Sequence, residues 1–165
     1  MAPEIRVLYH FTDRRNLTSI KELGGLYSWA KLQEMGAKVE VPGGNDWSHE
    51  ADGFKGLDSY VHLCFRKNHP MEYSARQDGR IKESIFLEID PGVLEADGVL
   101  FTDDVSNKAG VESYPFEQAA DVLDFEVLDR VPDWNDADFK NRLRKAEKYE
   151  ILVPDFVPSG LIRNL

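Results

Sequence analysis

From residue 5 the chain alternates, with Ile5, Val7 and Tyr9 set against Arg6, Leu8 and His10, the period-two pattern of a strand. Thr12 or Asp13 then stands where a helix needs an N-cap. Leu17, Ile20 and Leu23 follow on one helical face, and Gly24-Gly25 supplies the stop. Trp29, Leu32 and Met35 are spaced for a short second helix. Over 36–57 the periodicity vanishes, and the segment holds five glycines, Pro42 and Trp47. A loop of that length in a compact domain is a lid, a binding loop or unstructured. A strand is predicted over 60–65, with Val61, Leu63 and Phe65 facing one way and His62 and Cys64 the other. Pro70 opens a short helix through Tyr73 and Arg76. Ile85, Leu87 and Ile89 mark another strand, closed by Asp90-Pro91-Gly92, and residues 99–102 a further one. A helical piece covers 116–123. A basic helix spans roughly 136–148 with Phe139, Leu143 and Ala146 as its buried stripe, and short strands at 150–153 and 161–162 finish the chain. The helical connections are too irregular for repeated βαβ units. The pattern therefore predicts one α+β domain over 1–165 with short, largely antiparallel strands.

Composition narrows the class. With 165 residues, 42% apolar and 30% charged, the chain is long enough to bury a full core and reads as a folded domain. No apolar run approaches the length of a membrane span, and the start has no signal-peptide form. The single cysteine, Cys64, excludes an internal disulfide and suits a reducing compartment. A cytoplasmic location with no membrane partner is expected. The formal charge of −10 argues against broad, phosphate-driven binding to duplex nucleic acid, but leaves room for a local basic groove.

Candidate chemistry concentrates in a few places. The basic helix runs straight into Ile151-Leu152-Val153 with Glu150 at the junction, so a carboxylate is held at the rim of a rigid strand, where sites are often built. His10 ends the first predicted strand ahead of Phe11-Thr12 and a capped helix, beside free N–H groups that suit a phosphate or a ribose hydroxyl. The commoner role of such a histidine is a core side chain bonded to a backbone carbonyl. Lys140, Arg144 and Lys148 fall on one line of their helix, with Asp136 and Asp138 in its first turn. That polarity complements the helix macrodipole without any ligand, and it serves a nucleic-acid backbone equally well. His62, Cys64 and His69 lack a second thiol or a paired ligand motif, so a buried thiol with satisfied histidines is the simpler reading. Asp103-Asp104 after a strand reads most simply as a turn cap. No metal is expected.

The order of the motifs carries more than any one of them. Tyr9-His10-Phe11-Thr12 is followed by Asn16-Leu17. Tyr60-Val61-His62-Leu63-Cys64-Phe65 leads to His69-Pro70-Met71-Glu72-Tyr73. Val99-Leu100-Phe101-Thr102-Asp103 comes with Ser106-Asn107, and Lys145-Ala146-Glu147-Lys148-Tyr149-Glu150-Ile151-Leu152-Val153-Pro154 comes last. From about residue 8 to 162 this series resembles the DarT family. Those are NAD-dependent ADP-ribosyltransferases that modify bases in single-stranded DNA, typically as toxins opposed by a macrodomain antitoxin.

The resemblance implies an ADP-ribosyltransferase-like fold, two small packed, mostly antiparallel sheets, with NAD as co-substrate in the cleft between them. It implies that His10, Phe11, Thr12, Asn16 and Leu17 hold the adenosine and nicotinamide-ribose parts of NAD, and that Tyr73 stacks on the nicotinamide. Glu150 matches the family's essential glutamate. Ala146-Glu147 offers a competing alignment, but Glu150 has the apolar strand directly after it. Asn68 stands where the family carries a pocket arginine; Arg66 is the choice for that catalytic role, with Arg76 also in reach of the NAD phosphates. Trp47 and the basic residues Lys140, Arg144, Lys145 and Lys148 are the candidate contacts to a single DNA strand. In the loop over 36–57, Glu40, Asp46, Glu50 and Asp52 outnumber Lys38 and Lys55, which bears on the choice of DNA as target. The function implied is transfer of ADP-ribose from NAD to a base of single-stranded DNA, by a bacterial toxin or phage-defence effector. Three alternatives stand beside it: an RNA or protein acceptor, an inactive NAD- or nucleic-acid-binding module, and a metal-dependent hydrolase using Asp103, Asp104 and His62.

Overall fold

The computed structural model describes residues 4–37 and 56–165; Trp47 and most of the 36–57 loop lie outside them. Among the described residues the strands are β1 (Leu8–Asp13), β2 (Gly25–Tyr27), β3 (Tyr60–Leu63), β4 (Ser84–Ile89), β5 (Leu100–Thr102), β6 (Ser113–Pro115), β7 (Glu150–Pro154) and β8 (Phe156–Pro158). The helices are α1 (Leu17–Leu23), α2 (Trp29–Glu34), α3 (Pro70–Gln77), α4 (Phe116–Val122), α5 (Phe125–Asp129) and α6 (Ala137–Ala146). A four-stranded sheet runs β3-β7-β5-β6, while β1 pairs with β4 and β2 with β8. Every one of these pairings is antiparallel. Tyr9 and Cys64 exchange backbone hydrogen bonds of 2.8 Å in both directions, tying β1 to the chain just beyond β3.

At the centre of the larger sheet lies β7. Its Ile151, Leu152 and Val153 are at most 1% exposed, the continuous apolar run expected of a strand covered on both faces. Phe139, Leu143 and Ala146 of α6 enter the same core as Ile151, Val153 and Phe101, so the predicted stripe of the basic helix is the buried one. Asp136 caps that helix by accepting the N–H groups of Asp138 and Phe139, an arrangement that satisfies two of its orphan donors. No helix among the described residues is long and apolar enough to cross a membrane.

Several expectations need correction. β1 pairs with β4 along its whole length, from Leu8 opposite Ile89 to Asp13 opposite Ser84. His10 is therefore mid-strand, away from any helix start. Asp13, rather than Thr12, is the cap, and it opens a 3-10 turn (Arg14–Asn16) that precedes α1. Met35 is exposed, so it belongs to no buried stripe. The last strand is β8 rather than residues 161–162, where Ser159–Leu161 forms a 3-10 turn and Ile162 makes one bridge to Ile89. Neither β2, β6, β8 nor α5 shows a period, because three to five residues hold too few positions to display one.

Gly25 explains why the β2–β8 ribbon is so close. Its φ is +151°, and a Cβ placed there would lie 2.2 Å from the Val157 carbonyl oxygen. Gly25→Ala is expected to lower stability by about 2–3 kcal/mol through overpacking and strain. A chemical-denaturation midpoint unchanged from wild type would rule that out.

Candidate active site

The register of the central sheet assembles the site. His62 on β3 faces Leu152 on β7, and side chains two residues apart on a strand share a face. Glu150 therefore lies diagonally across from His62, within reach of a long side chain. On its other edge Glu150 pairs with Thr102 of β5. The Thr102 hydroxyl donates to the Asp104 carbonyl at 2.8 Å, closing the turn that brings Ser106 back to the glutamate. Asp104 accepts from the Val105 N–H and from Lys108 Nζ, so it is the turn cap its position suggested.

The carboxylate of Glu150 is buried and ringed by donors. His62 Nδ1 lies 2.8 Å from Oε1, and the Ser106 hydroxyl donates to the same oxygen at 3.2 Å. The Ser106 N–H donates to Oε2 at 2.7 Å. His69 approaches from the N-terminus of α3: its Nδ1 accepts the Met71 N–H, and its Nε2 stops 3.8 Å from Oε2. That Nε2 is buried and has no hydrogen-bond partner. Burial pushes the Glu150 carboxyl up, but the hydrogen bond and charge of His62, the charge of His69 and the Ser106 amide together hold it below its ordinary value. Glu150 is thus ionised inside the protein. By contrast Cys64, also buried and further opposed by the charge of Glu150, is pushed up to about 12 and is inert as a nucleophile.

Other sequence-predicted residues gather around this centre to different degrees. His10 Nδ1–H donates to the His62 carbonyl at 2.9 Å, so the histidine of the first motif is anchored on the residue that holds Glu150. Burial lowers its pKa, leaving a neutral ring. Thr12 and Asn16 are both buried, and the Asn16 amide donates to the Thr12 hydroxyl at 2.9 Å. Phe11 stacks on His69 with ring centroids 6.1 Å apart, whereas Leu17 packs against the main core. Tyr73 is 56% exposed on α3, with the Arg76 guanidinium 5.8 Å above its ring. Arg76 is bound to the buried Glu72. Arg66 lies 3.6 Å from Glu147, and its Nε has no hydrogen-bond partner. Glu147 itself caps the end of α6 and accepts from Asn68 at 2.8 Å, apart from the Glu150 cluster. Lys140, Arg144 and Lys145 are exposed on α6 and Lys148 is half-buried beyond it.

His62, His69 and Ser106 were legible as residue types but not as a set. Only the pairing of β3 with β7, and the return of the chain after β5, puts them on one carboxylate. Among the described residues no group of three or more His, Cys, Asp or Glu side chains is disposed to hold a metal ion.

A carboxylate buried at the head of a central strand, within small antiparallel sheets, belongs to a fold shared with solved ADP-ribosyltransferase structures. "Thermus sp. 2.9 DarT in complex with ADP-ribosylated ssDNA" matches with a TM-score of 0.72 at 19% identity, over 98% of this chain and 81% of that one. "Thermosipho africanus DarTG in complex with ADP-ribose" matches with 0.68 at 18% identity, over 95% of this chain and 42% of that one. "Thermus sp. 2.9 DarT in complex with NAD+" gives 0.63 at 20% identity, over 99% and 82%. Among curated proteins none matches. The model of the family described as ssDNA thymidine ADP-ribosyltransferase, DarT, matches residues 9–165. The chain belongs to this family of NAD-using ADP-ribosyltransferases.

Proposed function

We propose that this protein transfers ADP-ribose from NAD to thymidine in single-stranded DNA, with Glu150 as its catalytic carboxylate. The observation that carries the reading is the ionised, buried Glu150 at the head of β7, held by His62 and Ser106, in a chain of this family. The residues fit NAD as substrate: the buried carboxylate of Glu150 can face a ribose that turns positive, and Tyr73 offers an exposed ring for a flat leaving group. NAD supplies a ribose C1′ whose bond to nicotinamide breaks with the electron pair leaving on the nicotinamide, so positive charge develops on the sugar.

Glu150 stabilises that charge and holds a ribose hydroxyl. It then takes the N3 proton of the thymine as that nitrogen bonds to C1′. One nicotinamide and one proton are released for each ADP-ribose transferred. His10, Phe11, Thr12, Asn16 and Leu17 shape the adenosine and ribose sites, Tyr73 the nicotinamide site. Arg66, whose Nε lies 3.6 Å from Glu147 without a hydrogen bond, serves the phosphates, with Arg76, bound to Glu72, as the second arginine in reach. The chain acts as one domain in the bacterial cytoplasm, as a toxin or phage-defence effector countered by a macrodomain antitoxin.

Intact-mass analysis of DNA and RNA oligonucleotides, with and without thymidine, after incubation with NAD tests this directly. A single ADP-ribose adduct confined to thymidine-containing DNA is the expected result. Nicotinamide release with no DNA adduct would move the acceptor to RNA or protein, and no release with DNA present would overturn the reading. The exposed face of α6 makes a second prediction. If it tracks the DNA backbone, Lys140→Glu with Arg144→Glu should weaken binding of single-stranded DNA evenly across sequences. The slope of log K against log salt should fall by about 1–2. An unchanged slope would return that helix to being a solvated face.

A further inference from the structure

We propose that His62 is a positioning residue for Glu150: its imidazole is strung between the Leu57 carbonyl and Oε1 of the glutamate, and fixes which way the carboxylate faces. This rests on Glu150 being the catalytic carboxylate. His62 Nε2 lies 2.9 Å from the Leu57 carbonyl oxygen, which only accepts, so that nitrogen carries a hydrogen. The other nitrogen meets Oε1 at 2.8 Å, and to an ionised glutamate it donates. With both nitrogens engaged the ring cannot turn. Leu57 is itself buried, in the 3-10 turn Leu57–Ser59 just before β3, so the anchor is packed into the fold. The Ser106 hydroxyl closes the third side, 3.3 Å from His62 Nδ1 and 3.2 Å from Oε1.

His69 plays no equivalent part. Its Nδ1 is used as the cap of α3 and its Nε2 stops 3.8 Å short of Oε2. Of the two histidines, His62 is the one that hydrogen-bonds the carboxylate and is braced from behind by the Leu57 carbonyl. Among the described residues the titratable groups next out from this pair are Cys64 after β3, which feels the charge of Glu150, Glu72 on α3, which acts on Cys64 and His69, and His10 on β1, which is coupled to His62.

The consequence is a pH signature. Burial acts to raise the Glu150 carboxyl, and the His62 hydrogen bond heads the interactions that lower it. Removing His62 leaves burial less opposed, so the glutamate protonates at higher pH and the acid limb of the activity profile moves up. His62→Phe keeps a flat ring with no nitrogens. His62→Asn keeps a donor near the position of Nδ1, and His62→Gln keeps one near Nε2 instead.

The experiment is the pH profile of kcat and KM for NAD, on thymidine-containing single-stranded DNA, for these three variants and for Glu150→Gln. His62→Phe and His62→Gln are expected to lose about 10²-fold in kcat with KM changed less than about threefold. Their acid limbs should move up by about one pH unit or more, whereas His62→Asn should stay within about tenfold of wild type. Thermal melting confirms that each variant is folded. If His62→Phe fails to fold, the Asn and Gln variants decide: similar behaviour overturns the proposal, and Asn outperforming Gln supports it. A folded His62→Phe with an unmoved acid limb, beside an inactive Glu150→Gln, would overturn the role of His62 alone. A fully active Glu150→Gln would instead remove the reading beneath it.

Discussion

Glu150→Gln is expected to reduce the rate of ADP-ribose transfer by about 10³-fold while leaving the affinity for NAD within a small factor. The substitution keeps the shape of the side chain and removes its charge. In the resting enzyme the charge costs desolvation, which His62, His69 and the Ser106 amide offset. It contributes most when the sugar becomes positive, because two opposite charges attract far more strongly in a buried site than in water. A neutral amide gives up that attraction and cannot take the thymine proton. The loss should therefore fall on kcat, an interaction made chiefly in the transition state. A time course of adduct mass at saturating NAD measures it, and a variant retaining more than about one tenth of wild-type kcat would refute the assignment.

Asp13→Ala is expected to produce the largest loss of stability of any exchange at the edge of the site, about 3 kcal/mol. Asp13 is 1% exposed, and one carboxylate gathers the whole end of the β1–β4 pair. It accepts from the Arg15 N–H and Nε at 2.9 and 3.0 Å, from the Arg15 terminal nitrogen at 3.0 Å, and from the Lys82 N–H at 2.9 Å. Alanine strands these donors. The hydrogen bonds from the Arg15 side chain lead, burial opposes them, and the backbone amides add to them; the net effect holds this carboxyl well below the usual carboxylate range. A group depressed in the folded state contributes stability above its ordinary pKa, near ~4, and loses it as pH falls toward the folded value. Wild type should therefore lose stability on acidification below ~4 more steeply than Asp13→Ala. Denaturation midpoints between neutral and strongly acid pH check this. Parallel curves for the two proteins would show that Asp13 does not carry the linkage.

Residues with long partners were readable in the sequence. The stripe of α6 and the apolar run of β7 announce themselves because many neighbouring positions share one requirement. Gly24, with φ of +82°, stops α1 where a left-handed residue was expected. What could not be read depends on distant pairing. The strands β2 and β8 exist because Gly25 lets two backbones approach, and nothing local to either announces the other. His10 illustrates the same limit at the site. Alternation placed it in a strand, but only the register with β4 and the carbonyl of His62 show it to be mid-strand and anchored. Its bond to a backbone carbonyl is the commoner role of such a histidine, and in this fold the carbonyl belongs to His62, the residue that hydrogen-bonds Glu150. Glu150 was legible from its own position, whereas its partners His62 and Ser106 sit 88 and 44 residues away.

The placement of Glu150 on β7 also decides how the enzyme fails. That strand is hydrogen-bonded on both edges, to β3 and to β5. Its amides can trade hydrogen for deuterium only when the sheet comes apart, which makes the strand part of the last cooperative unit to open. Fraying of a terminus or a loop leaves the carboxylate where it was. Heat should therefore extinguish activity in one step together with the fold, and the slowest-exchanging amides of the molecule should be those that flank Glu150.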